Sequence, residues 1–353
     1  MSNAIQHIAV IRMSAMGDVA MTVPVIRALV EQHPNVKITV VSRPFFKPFF
    51  DNIPNVNFFA VDVKGRHKGF FGLLKLYSDL KRLNIDAVAD LHNVLRSQII
   101  RTLFALSGNK VAFTDKGRAD KKALTSAKNK IFQPVQSMID RHVDTFNQLG
   151  FKVDISNPTF PKKAILSNEI VKFSGEKGNH KWIGIAPFAQ YESKVYPQDL
   201  MQEVLNDLAA DNNKKLFLFG GGNKEIEILN SLASGKDNVI NVAGKLKLPQ
   251  ELELISNLDL MLSMDSGNAH IAAMLGIKVI TLWGATHPFA GFKPFNQPIE
   301  NCLVSDREKY PLLPTSVYGN KIVEGYQDAM RTITPEKVVI SIQSQLAKLV
   351  TNH

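Results

Sequence analysis

Cysteine is all but missing from this 353-residue chain, where Cys302 stands alone. An intramolecular disulfide is excluded, and so is a cluster of thiolates around a metal. No run approaches the ~18–20 continuous apolar residues of a membrane-spanning helix. The opening MSNAIQHIAVIRM lacks a basic segment ahead of a long apolar stretch, so it does not resemble a secretory signal. A reducing cytoplasm is the expected location. Internal repeats and low-complexity tracts are absent too. The chain also lacks a GxxxxGK[ST] phosphate loop, a zinc-finger spacing, an RNP-type aromatic motif and a DxD pair suited to holding Mg²⁺ against a diphosphate. No metal, no cofactor and no nucleic-acid partner are therefore expected.

What is present is an ordinary globular composition, 45% hydrophobic and 21% charged, long enough for two cores. The net charge of +10 is uneven along the chain. Residues 1–170 hold 24 Lys/Arg against 13 Asp/Glu, whereas 171–353 hold 18 against 19. Two basic clusters stand out: Lys64, Arg66, His67 and Lys68 ahead of GFFGLL, and the tract 110–130. Such clusters concentrate anions such as phosphorylated lipid, a membrane surface or nucleic acid. The alternative is a solvated surface.

Strand and helix signals alternate in the first half: 7–13, 37–42, 55–62 and 85–91 read as strands, with helices at 19–34 and 72–83. The rhythm restarts at 181–187, 214–222, 238–244, 259–264 and 278–284, with helices near 197–211 and 224–234. This is the pattern of βαβ units and mostly parallel sheets. Residues 152–180, rich in Lys, Pro, Ser and Gly, form the expected joint. The expected domains are 1–170 and 171–335, followed by a helix over 336–353 that returns to the first domain. Thr334 would cap this helix, with Pro335 in its first position.

Ligands of parallel sheets sit beyond the carboxyl ends of the strands, so four loops there are candidates. In RMSAMGDVAMTVP (12–24), Gly17 permits close backbone approach. Asp18 reads either as a helix cap or as a carboxylate able to remove a proton. In PFAQYESKVYP (187–197), Lys194 could reach a phosphate or be an ordinary surface lysine. FGGGNKE (219–225) lets a ligand approach its backbone, and Glu225 could accept ribose hydroxyls or simply favour the start of a helix. In SMDSGNAH (263–270), the amides of Ser266 and Gly267 open a helix and suit an anion. Asp265 suits sugar hydroxyls, His270 can donate to a phosphate, and Gly284 and Thr286 after the next strand could close the far side.

In this order and spacing, AGKLKLPQELELISNLDLMLSMDSGNAHIAAMLGIKVITLWGATHP (243–288) resembles the carboxyl-terminal signature of glycosyltransferase family 9, the lipopolysaccharide heptosyltransferases. RMSAMGDVAMTVPVIRAL is similar to the family's opening R-x-S-x-x-G-D, and MRTITPEKV to its last helix. Ala189 and Gln190, the K-V-Y-P at 194–197 and His287 depart from the pattern. The resemblance implies a GT-B fold: two Rossmann-like domains with mostly parallel sheets facing a central cleft. It further implies inverting, metal-independent sugar transfer from a nucleotide-sugar donor, by family default ADP-heptose. Asp18 would be the general base and Lys194 would neutralise the leaving diphosphate. Asp265 would hold sugar hydroxyls and Glu225 the ribose. Lys64, Arg66, Lys68, Arg118, Lys121 and Lys122 would meet an anionic lipid A–inner core glycolipid. A monomer in peripheral contact with the inner face of the cytoplasmic membrane is expected.

Overall fold

The computed structural model describes residues 5–321 and 323–351. The chain divides into two compact units, residues 1–116 with 136–160, and 117–135 with 161–353.

The elements up to residue 160 are β1 (His7–Ile11), α1 (Met16–Ala20), α2 (Thr22–Gln32), β2 (Lys37–Ser42), β3 (Val56–Ala60), α3 (Gly69–Lys81), β4 (Ala87–Asp90), α4 (Leu95–Leu106), β5 (Lys110–Phe113), α5 (Arg118–Leu124) and α6 (Met138–Leu149). The first unit's sheet runs β3-β2-β1-β4-β5, every pairing parallel. Its central strand HIAVI is buried throughout. Helices covering both faces of a parallel sheet produce such a continuous apolar run. The edge strand VNFFA is partly exposed along its length instead. Ser137 caps α6 by accepting the Asp140 N–H, and Gly150 ends it with φ +99°.

The second half adds α7 (Asn168–Ser174), β6 (Lys181–Ala186), α8 (Gln198–Ala209), β7 (Lys214–Leu218), α9 (Asn223–Ala233), β8 (Val239–Asn241), α10 (Leu248–Ser256), β9 (Leu260–Met264), α11 (Gly267–Met274), β10 (Lys278–Trp283), β11 (Cys302–Val304) and α12 (Pro335–Thr351). Its sheet runs β11-β10-β9-β6-β7-β8, again all parallel. Two α/β units of this build make the GT-B fold class. Among the described residues no helix is long and apolar enough to cross a membrane.

Three details differ from the sequence-based expectations. The chain passes between the units near residue 160 rather than 170. Segment 117–135 belongs to the second unit: the Val135 N–H donates to the Phe289 carbonyl, Lys130 Nζ to that of Pro314, and the Phe132 ring stacks against His287 and Phe289. The basic excess is consequently shared, 17 Lys/Arg against 11 Asp/Glu in the first unit and 25 against 21 in the second. Helix α12 starts as expected, with Thr334 Oγ1 accepting the Lys337 N–H. Its apolar stripe of Val338, Ile342 and Leu346 lies in the second unit's core, where the sequence reading sent it to the first domain. Burying each such side chain contributes ~1.5–3 kcal/mol, which fixes the helix there.

Candidate active site

In each sheet the strand order reverses at one point, between β1 and β4 in the first and between β6 and β9 in the second. A crevice opens beyond the carboxyl ends of the strands at such a reversal. The candidate side chains collect at these two places.

In the first unit, Asp18 is the third residue of α1 rather than its cap, and its Oδ2 accepts the Ala15 N–H at 3.1 Å. Arg12, at the end of β1, places Nη2 2.7 Å from the same oxygen and donates from Nη1 to the Leu91 carbonyl at 2.7 Å. Arg12 is buried, so it ties the two strand-end loops together beneath the carboxylate. Gly17 lies within α1 and needs no left-handed backbone.

Across the reversal, Asp90 ends β4 and His92 follows it. Asp90 is fully buried, accepts the His92 and Asn93 N–H groups and pairs with Arg101 at 3.2 Å. His92 Nε2 lies 3.3 Å from the Ser14 hydroxyl. Burial, aided by the charge of Arg12, pulls the His92 pKa down to about 3, so the ring is neutral. Arg12, Asp90 and His92 were not singled out from sequence. The available signal was D-x-H at the end of an apolar strand.

In the second unit, Lys194 Nζ lies 2.9 Å from Asp265 Oδ2, the two side chains 12% and 8% exposed. Thr286 Oγ1 donates to the same oxygen at 2.9 Å. Asp265 Oδ1 accepts no hydrogen bond among the described residues. Three loops, those after β6, β9 and β10, thus meet on one carboxylate. Alone, Asp265 would repel a phosphate; with Lys194 beside it the local charge is balanced. Immediately after Asp265, α11 begins with Ser266 as its cap residue, whose hydroxyl makes no capping bond and instead lies 3.1 Å from the Ser263 hydroxyl. Ser266, Gly267 and Asn268 are half-buried residues at the helix start, where backbone N–H groups suit an anion. His270 is buried within the first turn.

The remaining candidates take more local roles. A Cβ on Gly284 would stand 2.3 Å from the Ser193 carbonyl oxygen, which accepts the Ala285 N–H. Close packing of the Lys194 loop, rather than ligand approach, explains this glycine. Glu225 Oε2 accepts the Gly221 N–H at 2.8 Å and so closes the glycine loop at the start of α9. His287 Nδ1 accepts the Phe289 N–H, and burial with Arg307 nearby lowers its pKa to about 4.

The six basic candidates are divided between the two units. Lys64 and Lys68 are exposed in the first unit, while Arg66 is held in a two-pronged pair with Asp79 at 2.9 and 2.8 Å. Arg118, Lys121 and Lys122 lie on α5, in the second unit. Lys121 is buried with its ammonium 4.3 Å from the centre of the Phe292 ring, which corrects its reading as a surface contact. Lys122 is exposed and lines a cavity of about 350 Å³ with Thr125, Ser126, Thr315 and Lys321.

Comparison with known proteins adds independent findings. The model of glycosyltransferase family 9 (heptosyltransferase) matches residues 73–320. Lipopolysaccharide core heptosyltransferase OpsX of Haemophilus influenzae is 26% identical, over 81% of this chain and 81% of its own length. A family 9 glycosyltransferase of Veillonella parvula superposes with a TM-score of 0.76 at 20% identity, covering 99% of each chain. The ADP-heptose lps heptosyltransferase II of Escherichia coli superposes at 0.67 with 20% identity, covering 97% of this chain and 99% of its own.

Proposed function

Since the chain belongs to glycosyltransferase family 9, the heptosyltransferases, we propose that this glycosyltransferase moves a heptose from ADP-heptose to an anionic inner-core glycolipid. The observation that carries the reading is the Lys194–Asp265–Thr286 cluster beside the start of α11. It offers a cation and helix-end amides for a diphosphate next to an unoccupied carboxylate oxygen for sugar hydroxyls. Two relatives support the donor: the E. coli heptosyltransferase named for ADP-heptose, and a second E. coli heptosyltransferase whose solved complex contains ADP-2-deoxy-2-fluoro heptose.

On this proposal Asp18 removes the proton from the acceptor hydroxyl. The oxygen forms a bond to the anomeric carbon as the bond to the diphosphate breaks, and the electron pair leaves on ADP. Attack opposite the leaving group inverts the anomeric centre. Lys194 and the Ser266–Gly267 amides offset the charge growing on the diphosphate. Lys194 must exchange Asp265 for the phosphate to do so. These groups supply the positive charge the step requires, so transfer at an undiminished rate in EDTA is expected. Glu225 accepts the ribose hydroxyls, and His270, Gly17 and Thr286 shape the donor site. Lys64, Lys68, Arg118 and Lys122 attract the acceptor's phosphates and carboxylates. The enzyme acts as a monomer at the membrane surface that carries its acceptor.

The test is a thermal shift with ADP, GDP, UDP and CDP. A ligand at 100 times its Kd stabilises the folded state by about 2.7 kcal/mol. ADP alone should raise the melting temperature by several degrees. Preference for another nucleotide would overturn the ADP-heptose assignment.

A further inference from the structure

One group of cations in the second unit takes no part in the cluster around Asp265. Lys130, of segment 117–135, donates from Nζ to the carbonyls of Leu124 at 3.0 Å and Pro314 at 2.8 Å. Arg307, in the loop after β11, donates from Nε to the neighbouring Leu313 carbonyl at 2.9 Å. Its guanidinium lies over the Phe132 ring, 3.4 Å from the centre. The two cations are thus fixed side by side on consecutive carbonyls. His287, the residue after Thr286, packs against the same ring at 5.0 Å. Its Nδ1 accepts the Phe289 N–H, so the proton of the neutral ring stands on Nε2.

No acid offsets this charge. Burial and the Arg307 guanidinium lower the pKa of Lys130 and of His287, and among the described residues no carboxylate acts on either in the opposite sense. Nη1 and Nη2 of Arg307 and Nε2 of His287 have no hydrogen-bond partner among the described residues, and none of the three is sealed from solvent. Holding two half-buried cations together is unfavourable unless an anion joins them. An arginine anchored at Nε and stacked on a ring presents its remaining N–H groups as a fork for paired oxygens. One phosphate ester, with a charge of about −2 at neutral pH, matches both cations, whereas a carboxylate matches only one. The His287 N–H suits a third phosphate oxygen. Room for the esterified group lies alongside: Thr125 and Thr315, next in sequence to the Leu124 and Pro314 carbonyls, line the cavity of about 350 Å³.

We propose that Arg307, Lys130 and His287 form a binding site for a phosphomonoester of a small hydroxylated molecule, separate from the diphosphate site at Lys194. It goes beyond the transfer reading, which uses none of these three residues. The phosphate is carried by the acceptor sugar or by a free phosphorylated compound.

The experiment is calorimetric titration of the full chain with glucose 6-phosphate and with glucuronate, which differ in their anion, with and without saturating ADP. The parent should bind one glucose 6-phosphate, with an affinity that ADP leaves unchanged, and bind glucuronate about tenfold or more weakly. Arg307→Gln/Lys130→Gln should lose about tenfold or more in glucose 6-phosphate affinity. Lys130→Gln alone should lose a smaller factor, and it leaves the Arg307–Phe132 stacking in place. Equal binding by parent and variants, displacement by ADP, or glucuronate bound as tightly as glucose 6-phosphate would overturn the proposal. Transfer to an inner-core acceptor before and after phosphatase treatment separates the two sources. A KM raised in the parent by that treatment, and raised to the same level in the double variant without it, assigns the phosphate to the acceptor. A KM unmoved by either change assigns it to a free ester. Absence of all transfer defeats the functional reading alone, because the glucose 6-phosphate titration does not depend on it.

Discussion

Replacing Asp265 by alanine removes the partner of a lysine whose side chain is only 12% exposed. The Thr286 hydroxyl loses its acceptor in the same step. Breaking a buried ion pair by deleting one member costs about 3–5 kcal/mol, mostly the price of stranding the other charge. For a unit of this size each kcal/mol moves the melting temperature by roughly 2–4 °C, so Asp265→Ala should melt about 6–20 °C below the parent. Lys194→Met/Asp265→Ala removes both charges, and its loss should fall short of the summed single losses by about 0.5–3 kcal/mol. The measurement is urea unfolding and calorimetry of the four proteins without ligand. A second consequence separates the two roles of the carboxylate. Asp265→Ala frees the Lys194 ammonium for phosphate, so ADP itself should bind no more weakly. The extra affinity of an ADP-sugar over ADP should disappear, because it depends on the Asp265 carboxylate. A melting change below one degree, or strictly additive single effects, would refute the coupling inferred from the 2.9 Å contact.

Asp18→Asn should lower kcat by about 10²–10⁴-fold with ADP affinity unchanged, as measured by steady-state transfer and calorimetric titration. Gly284→Ala forces a methyl group against the Ser193 carbonyl and should destabilise by about 1–3 kcal/mol; an unaltered urea midpoint would show that the loop yields freely. His92 and His287, whose pKa values fall to about 3 and about 4, are neutral when folded but gain a proton below about 6.5 when unfolded. Their contribution is therefore complete above pH 6.5 and fades as pH drops toward those values, about 2 kcal/mol each by pH 5. Burial raises the Glu251 pKa to about 7, which acts in the opposite direction. The check is accordingly a difference: the stability gap between the parent and His92→Gln/His287→Gln should narrow on going from pH 7.5 to pH 5, and a constant gap would contradict the assignment.

The buried strands were legible because a parallel sheet covered on both faces demands continuous apolar runs: KITVVS matches its strand to the residue, and the run read over 181–187 ends one residue beyond β6. β5 was missed because KVAF is short, half-exposed and embedded in a basic tract. α6 was missed although Ser137 and Gly150 mark its ends and its apolar residues recur at helical spacing, since its residues are on average more polar than those of the other long helices. Loops at the strand ends could be identified one at a time, but not the pairs they form. Lys194 meeting Asp265, and Arg12 meeting Asp18, depend on where the strand order reverses, which no local pattern encodes. For the same reason the attachment of residues 117–135 to the second unit was hidden, because Phe132 and Lys130 find partners more than 150 positions away.

The central claim is sugar transfer from a nucleotide donor, and mass spectrometry of the acceptor tests it most directly. Purified protein is incubated with ADP-heptose and a lipid A–inner core glycolipid. The account predicts an acceptor heavier by one heptose, with one ADP released for each heptose added and almost none of either from Asp18→Asn. Donor consumed at the same rate without acceptor, or an acceptor of unchanged mass, would contradict it.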